Sequence, residues 1–577
     1  MIADLPLQDL IATPFPWLVP PAYILFGGAI IAFFLRGWMQ HLVALLVPVI
    51  GVWNLLSLGV DSGWSIEFVG LKLELLRVDR LSFLFGLLFH IAAFLGILYG
   101  WHVKDRIQQV AALGYAGSAL GAVFAADLIS LFIFWELLAI TSVFLIWARG
   151  TESSARSGIR YLIIQVASGM LLLAGALVHY FQTGSTAFDY MGLSGLASWL
   201  IFIAIGIKCA FPLLHNWVVD AYGEATPSGT VLLSAFTTKV SVYALARAFP
   251  GTEILIYIGA TMTCFPIFFA VIENDLRRVL AYSMINQIGF MVVGIGIGTT
   301  LALNGAVSHA FNDVIFKGLL FMTMGAVLHV TGRINGSELG GLYKTMPITA
   351  TLCIIGAASI SAFPLFSGFV SKSMVMSAAM KEDHIVVWLM LLFASAGVFH
   401  HAGIKIPYFA FFAHDSGLRV KEPPWNMLLA MIIGASICIF NGSFPATLYS
   451  LLPWAVDYVP YTDTHVLAQL QILFFSALAF TWLMLSGLYP PELRAINLDT
   501  DWVYRRFAPR VLNALGAIIG RTDDELRRAT MSRLNIMLDY LRLSHGQQGA
   551  LDRTWSTGSM VLVVTVLLSG YLLFAYI

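Results

Sequence analysis

Five charged residues stand alone inside long apolar stretches of this sequence. They are Glu136, Lys208, Lys239, Lys317 and Lys372. A charged side chain in membrane hydrocarbon is costly, so each of these residues marks a candidate functional site. Burial and nearby charges can bring amines and carboxyls to the pKa values that proton transfer requires. The pattern predicts a proton relay within the membrane, in which the protonation of Lys208 depends on the charge of Glu136.

One helical face carries a stripe of polar residues. His309, Asp313 and Lys317 are spaced at i, i+4 and i+8, and this spacing places them on the same side of a helix. The stripe can pass a proton between neighbours, or it can simply pair Asp313 with Lys317. His215 and Lys405 are further candidates, although a histidine bonded to the backbone explains His215 equally well.

A static ion pair between neighbouring helices is the structural alternative for any one of these residues. Such buried pairs fix packing and often add no stability. A whole series of acid, base and histidine positions fits that alternative poorly, and we therefore favour a path for protons.

The composition of the chain indicates that these residues lie within a membrane. The chain has 577 residues, of which 59% are hydrophobic and 11% charged, whereas a soluble domain carries about 25% charged residues. Apolar runs of roughly 20 residues recur along it, which predicts an all-α polytopic protein with about fourteen to sixteen transmembrane helices. Lys plus Arg balances Asp plus Glu at 32 each, so no net charge points to nucleic acid.

Loop charge predicts the orientation of the helices. The connections after spans three, five, nine and eleven are basic and fall on one face, which should be cytoplasmic. The loop from Gly59 to Arg80 and the N-terminus then lie outside. Because the first residues contain acids and prolines where a signal peptide has a basic start, we expect the first span to be retained. The basic residues concerned are Lys104, Arg106, Arg149, Arg156, Arg160, Arg277, Arg278, Arg333 and Lys344.

Two prolines predict breaks in membrane helices. Pro212 has no N–H, so the carbonyl of Lys208, four residues earlier, loses its helical partner. An unwound turn at membrane depth requires protein or water to satisfy the freed backbone, which predicts a small hydrated cavity at Lys208. Pro364 leaves the carbonyl of Ile360 in the same condition, with Lys372 downstream.

The letters AFPL around Pro212 recur around Pro364, about five spans later. Because five is odd, two such units insert with opposite topology, an architecture common in transporters. We therefore divide the chain as follows: N-terminal transmembrane helices (1–107), a first inverted repeat (108–250), a second inverted repeat (251–412), C-terminal transmembrane helices (413–490), a cytoplasmic amphipathic segment (491–556) and a last transmembrane helix (557–577).

The amphipathic segment alternates arginines with aliphatic residues at near-helical spacing. This pattern predicts a helix along the cytoplasmic surface, interrupted near Gly520, that rests on lipid headgroups or on another subunit. A solvated linker is the alternative. The residues that define the pattern are Arg505, Arg506, Arg510, Arg527, Arg528, Arg533, Val511, Leu512, Leu515, Ile518, Leu526, Leu534 and Leu538.

Metal and redox chemistry have little support in the sequence. The cysteines lie singly in apolar runs without the CxxC spacing of a metal, cluster or redox site; they are Cys209, Cys264, Cys353 and Cys438. No residue pairs convincingly with His400 and His401 as haem ligands. We therefore expect no metal, no cofactor and no enzymatic activity.

Several stretches together resemble a known family, over about Ala111 to Met380. They are FWELLAITS, FPLLHNWVVDAYGEATPSGTVLLSAFTTKVSVYALAR, DLRRVLAYSMINQIGFMVVG, HAFNDVIFKGLLFMTMGAVLH and AFPLFSGFVSKSMV. They resemble the antiporter-like subunits shared by Mrp-type cation/proton antiporters, respiratory complex I and membrane-bound hydrogenases. Among these branches the chain looks most similar to the D subunit of Mrp antiporters, although its C-terminal segment resembles the lateral helix of the longest complex I subunit.

The resemblance implies two inverted five-helix units, each with a broken helix, and a proton path across and along the membrane. By position in the family motifs, it implies proton-translocating roles for Glu136, Lys208, Lys239, His309, Lys317 and Lys372. The chain departs from the family at Asp313, where members often carry a second histidine, so the link between the half-channels is expected to differ.

We therefore predict a proton-translocating subunit of a multisubunit sodium or other monovalent cation/proton antiporter in the cell inner (plasma) membrane. Its expected partners are other membrane subunits, protons, monovalent cations and the lipid bilayer. Three alternatives remain open: a proton-pumping subunit of a complex I-like or hydrogenase redox complex, a proton-channel subunit of an inorganic carbon uptake complex, and a scaffold whose charges are structural.

Overall fold

Apolar helices form most of the computed structural model, which describes residues 19–59, 62–68, 70–493, 497, 499–546, 549 and 554–576. The opening segment used to predict a retained first span lies outside these residues. The first ten helices are α1 (Pro21–Phe34), α2 (Trp38–Ser57), α3 (Arg80–Tyr99), α4 (Arg106–Phe124), α5 (Leu128–Trp147), α6 (Glu152–Thr183), α7 (Gly195–Lys208), α8 (Asn216–Glu224), α9 (Pro227–Ala235) and α10 (Thr237–Ala248).

The following helices complete the larger of the two units into which the chain divides, Met1–Asn497. They are α11 (Ile254–Ile272), α12 (Leu276–Ile297), α13 (Thr300–Thr331), α14 (Pro347–Ile360), α15 (Ser367–Lys381), α16 (Ile385–Phe412), α17 (Trp425–Ser443), α18 (Pro445–Ser450) and α19 (Asp463–Leu485), with short 3-10 turns at Gly336–Glu338 and Leu342–Lys344.

Helix length confirms a polytopic all-α protein. In the described part of the chain, 13 helices are long and apolar enough to cross a membrane, with α9 and α10 counted as one span. Three shorter apolar helices, α1, α7 and α14, accompany them. Together they agree with the expected number of about fourteen to sixteen, because the shorter helices lie where the sequence predicted further spans.

The predicted outer loop after α2 contains a two-stranded antiparallel hairpin. Its strands, β1 (Gly63–Phe68) and β2 (Leu71–Arg77), place Ser65 opposite Glu74. The Ala126 N–H donates to the Glu74 carbonyl at 2.9 Å, and the Glu74 N–H donates to Asp127 Oδ2 at 2.7 Å. Because Asp127 also caps the N-terminus of α5, the hairpin is attached to the helix that carries Glu136.

Corresponding helices of the two predicted repeats have matching lengths. Helices α4 and α11 both have 19 residues, α5 and α12 have 20 and 22, and α6 and α13 both have 32. Both 32-residue helices end at a left-handed glycine, Gly184 and Gly332. Helices α7 and α14 follow with 14 residues each. The opposite membrane orientation of these two sets stays a prediction.

The second unit, Leu498–Ile577, contains α20 (Ala508–His545) and α21 (Thr557–Tyr576). Helix α20 runs without interruption through Gly520, so the predicted break there is wrong. One exposed glycine costs a helix only about 1 kcal/mol relative to alanine, and the surrounding residues keep the turn helical. The position of α20 at a membrane surface stays a prediction.

Candidate functional site

The two AFPL segments adopt the same broken-helix backbone. Helix α7 ends at Lys208 and α14 ends at Ile360, as Pro212 and Pro364 predict. In both segments the alanine and the leucine have positive φ, which costs a non-glycine residue roughly 1–2 kcal/mol. These angles are 62° at Ala210, 71° at Leu213, 58° at Ala362 and 74° at Leu365. The surrounding helices must therefore hold each break in place.

Lys208 lies at the end of α7, against the middle of α5. Its side chain is fully buried, and Nζ donates to the Trp135 carbonyl at 2.5 Å. The same Nζ lies 4.7 Å from the centroid of the Trp135 ring, where a cation is attracted by the aromatic face. Glu136 is the next residue on α5, so its carboxylate and the ammonium of Lys208 share one small region without a direct hydrogen bond.

A glycine on α6 makes room for the Glu136 carboxylate. A Cβ added to Gly169 would lie 1.4 Å from Glu136 Oε1, which is buried without a hydrogen-bond partner in the described residues. Gly318 on α13 differs, since a Cβ there would meet no atom within 4 Å. This role of Gly169 could not be predicted from the sequence, because it depends on the packing of α6 against α5.

Two charged residues of the polar stripe on α13, Asp313 and Lys317, have partners on other helices. Nζ of Lys239, on α10, lies 2.6 Å from Asp313 Oδ2, and both side chains are fully buried. Lys317 instead donates to the Ser283 hydroxyl on α12 at 2.8 Å. The predicted alternative pairing of Asp313 with Lys317 is therefore wrong, because a helix from the first predicted repeat supplies the ammonium. Ser283 was not anticipated.

His309 bridges three helices. Its Nε2 lies 3.2 Å from Gln287 Oε1 on α12, and its Nδ1 lies 3.0 Å from Ser371 Oγ on α15. Gln287 uses its amide N–H to donate to Asn286 Oδ1 at 2.6 Å, and Asn286 donates to the Thr263 carbonyl. Because Gln287 presents its oxygen to His309, the network assigns the proton to Nε2 and the acceptor role to Nδ1.

Lys372 closes the second break. Its Nζ donates at 3.1 Å to the Ile360 carbonyl, the group that Pro364 leaves without a helical partner. Nζ also lies 5.0 Å from the centroid of the Phe290 ring. The arrangement resembles that at Lys208, where a buried ammonium also combines one carbonyl with one aromatic face.

The two additional candidates lie apart from this series. Lys405 Nζ donates to the carbonyls of Ala270, Val271 and Glu273 at 3.2, 2.7 and 2.7 Å, which caps the end of α11. It also lies 2.9 Å from Glu492 Oε1, and this geometry favours a structural role for the lysine. His215, at the start of α8, has its ring centroid 4.6 Å from that of Phe265.

Arginines that served only as topology signals in the sequence hold α8 in place. Arg160 makes two bonds to the Asp220 carboxylate, at 2.7 and 3.0 Å. Arg149 contacts Glu224 at 3.2 Å, and the buried Arg277 donates to the Ala225 carbonyl at 2.9 Å. The connections after spans five and nine therefore meet at one end of the helices, as the loop charges predict.

His102, in the connection between α3 and α4, is a histidine that the sequence did not single out. Its Nδ1 lies 3.1 Å from Asn426 Nδ2, and its ring centroid lies 4.6 Å from that of His329. Burial and the charge of His329 lower the pKa of His102 to about 4. The Asn426 amide N–H donates to Nδ1, which agrees with a neutral ring.

The fold and these buried groups define a multi-pass membrane protein that is similar to the antiporter-like subunits of Mrp antiporters and complex I-like complexes. Residues 125–399 match the family model described as NADH:quinone oxidoreductase/Mrp antiporter, transmembrane. This match confirms the resemblance seen in the sequence motifs, and it covers every charged residue of the proposed series.

Curated relatives include subunits from several complexes. The probable K(+)/H(+) antiporter A/B subunit of Rhizobium meliloti is 33% identical over 73% of this chain and 46% of the relative. The D subunit of the Na(+)/H(+) antiporter of Alkalihalophilus pseudofirmus is 32% identical over 49% and 62%. NAD(P)H-quinone oxidoreductase chain 5 of Picosynechococcus is 32% identical over 56% and 53%. The chain thus spans about half the length of the relatives it matches.

Solved structures show the same fold. A chain of the archaeal membrane-bound sulfane sulfur reductase has a TM-score of 0.70 at 20% identity, covering 97% of this chain and all of that one. A chain of the Mrp complex from Dietzia sp. has a TM-score of 0.64 at 18% identity, covering 81% and 97%. At these identities the likeness concerns the fold alone.

Proposed function

We propose that the protein is the proton-translocating subunit of a multisubunit antiporter that exchanges protons for sodium or another monovalent cation across a plasma membrane. One observation carries the proposal: fully buried ionisable groups extend from α7 through α10 and α13 to α15. These groups are Lys208, Lys239, His309, Asp313, Lys317 and Lys372, each at most 1% exposed. Burying these charged groups carries a large desolvation cost, which a role in helix packing alone would not offset.

In the first repeat, the charge of Glu136 decides how readily Lys208 holds a proton. An ionised Glu136 stabilises the Lys208 ammonium, whereas a protonated Glu136 removes that stabilisation in a region of low dielectric. The Trp135 carbonyl and ring receive the ammonium in its charged form. A change of charge at Glu136 therefore releases or captures a proton at Lys208.

The Lys239–Asp313 pair links the two repeats. The Asp313 carboxylate lies 2.6 Å from the Lys239 ammonium. A proton that reaches Asp313 neutralises the carboxylate and breaks this ion pair. The proton displaced from Lys239 or received at Asp313 then continues through His309 and Lys317 to Lys372. A carboxylate here, where family members often have histidine, makes the link depend on an acid.

A redox-driven complex is the second candidate. The 32% identity to NAD(P)H-quinone oxidoreductase chain 5 favours a role as a proton-pumping subunit in a complex of that type. In both candidates the partners are other membrane subunits, because the relatives are named as subunits. The relay would be the same, and only the driving reaction would differ.

Lys208→Ala tests the proposed function in vesicles that contain the intact complex. We expect sodium-driven proton flux to fall by roughly a hundredfold, in the range for loss of a proton-transfer group. Lys344→Ala is the control, since Lys344 is an exposed lysine paired with Asp415 at 2.8 Å. Undiminished flux in Lys208→Ala at equal assembly would remove the lysine from the path. No sodium response in the wild type would favour the redox-driven alternative.

Gly169→Ala tests the position of the Glu136 carboxylate. The added methyl group meets the flexible end of Glu136, so we expect the carboxylate to move away while the helices still assemble. Flux should fall about tenfold, which corresponds to about 1.4 kcal/mol in the barrier. Gly318→Ala is the matched control because its methyl group meets open space. Equal flux in both variants would show that the carboxylate position is unimportant.

A further inference from the structure

Helix α16 changes its winding near the end of the second predicted repeat. It is α-helical over Ile385–Val398 and has π-helical turns at Phe399–Ile404 and Tyr408–Phe412. Such turns are rare in α-helices and frequently mark functional sites. The first of them contains His401, which is fully buried.

The imidazole of His401 is incompletely satisfied. Both ring nitrogens, Nδ1 and Nε2, are buried without a hydrogen-bond partner among the described residues. Buried ring nitrogens are normally paired with protein or with an ordered water molecule. His401 therefore presents two unpaired nitrogens, one able to give a proton and the other able to take one, inside the helix bundle.

Charged groups lie on both sides of this ring. Lys317 on α13 is within electrostatic range of His401, as are His400 and Lys405 on its own helix. Beyond Lys405 lie two carboxylates at the end of α11 and after α19. Glu492 Oε1 is 2.9 Å from Lys405 Nζ, and Glu273, 4% exposed, adds its charge near the same ammonium. The histidine thus interacts electrostatically with a relay lysine and with Lys405, which contacts the acidic pair.

The π-helical turn also packs directly on the second helix break. A Cβ added to Gly403 would lie 2.3 Å from Ser361 Oγ, which places the turn in close contact with Ser361. Ser361 follows Ile360, whose carbonyl receives the Lys372 ammonium. The turn that carries His401 is therefore fixed against the part of the second repeat where Lys372 acts.

We propose that His401 is a proton carrier between Lys317 and the carboxylates Glu273 and Glu492. Proton transfer through His401 connects the second repeat to the face that the loop charges predict to be cytoplasmic, without passing through the first repeat. This inference rests on the proposed proton-translocating function and adds a branch to it. In each transfer, one ring nitrogen accepts a proton from the acidic side and the other releases one toward Lys317, so the imidazole returns to its neutral form.

The test measures sodium-driven proton flux in vesicles with the intact complex carrying His401→Gln or His401→Ala. We expect about a tenfold loss in both variants at equal assembly, and added imidazole should restore flux in His401→Ala only. His90→Gln is the matched control, because His90 is also fully buried and its Nε2 also has no hydrogen-bond partner among the described residues. Its Nδ1 bonds the Gly86 carbonyl at 2.7 Å. Among the described residues no charged side chain contributes to the electrostatics of His90, so we expect wild-type flux.

Glu492→Gln provides a second variant nearer the protein surface, and its flux should fall most at high pH, where proton collection limits the rate. Wild-type flux in His401→Gln and Glu492→Gln would overturn the branch, as would a loss in His401→Ala that imidazole leaves unchanged. If Lys208→Ala loses flux while the His401 variants keep it, the branch fails and the proposed function stands. If the wild type itself shows no cation-driven flux, the proposed function fails first.

Discussion

Asp313→Asn is expected to give the largest defect of any single replacement, a loss of proton flux of roughly a hundredfold or more. In the wild type, the Asp313 carboxylate lies 2.6 Å from the Lys239 ammonium. The variant removes this negative charge and leaves the ammonium fully buried without it. Removing one partner of a buried pair typically destabilises a protein by about 3–5 kcal/mol. Both effects are measurable on the purified complex, as sodium-driven proton flux in vesicles and as thermal stability.

A double variant separates the two effects. Lys239→Met combined with Asp313→Leu removes both buried charges, so we expect stability to recover while flux stays low. Asp415→Asn is the control, because Asp415 forms an exposed ion pair with Lys344 and should leave flux unchanged. Asp313→His restores the residue type common in the family and should retain part of the flux. Full flux in Asp313→Asn would exclude the pair as the link between the repeats.

Lys372→Arg is expected to reduce flux strongly while leaving the second helix break intact. The guanidinium can still donate to the Ile360 carbonyl, the present acceptor at 3.1 Å, but it does not give up its proton at physiological pH. Lys372→Met loses both the hydrogen bond and the proton site. We expect roughly a hundredfold loss of flux in both variants, with reduced thermal stability only in Lys372→Met.

The exposed Lys381 at the end of the same helix provides the control for these measurements. Lys381→Met should leave both flux and stability at the wild-type level. If Lys372→Arg translocates protons as the wild type does, then Lys372 serves as a cap for the broken helix and the relay ends before α15.

The helix breaks could be predicted because their cause is local and covalent. Pro212 and Pro364 remove specific N–H groups, and the helices end four residues before them, at Lys208 and Ile360. The number of helices and the common face of the arginine-rich connections were also accessible, since both follow from hydrophobic runs and loop charge.

The partners of the buried charges could not be predicted in this way. Helical spacing alone suggested a contact between Asp313 and Lys317, but the packing of α10 and α12 gave each a different partner. Residues such as Ser283 and Gly169 carry no sequence signal, because a hydroxyl or a missing side chain acquires its role only when a distant helix faces it. Tertiary contacts, which lie beyond any local pattern, therefore decide the connectivity of the relay.

The space beside Gly318 offers a place for a spectroscopic probe. A Cβ added to Gly318 has no atom of the described residues within 4 Å, although the glycine is buried and directly follows Lys317. A cysteine introduced there and converted to a thiocyanate would carry a small nitrile whose vibrational frequency reports the local electric field. The gain or loss of a proton at Lys317 could then be followed in time during turnover.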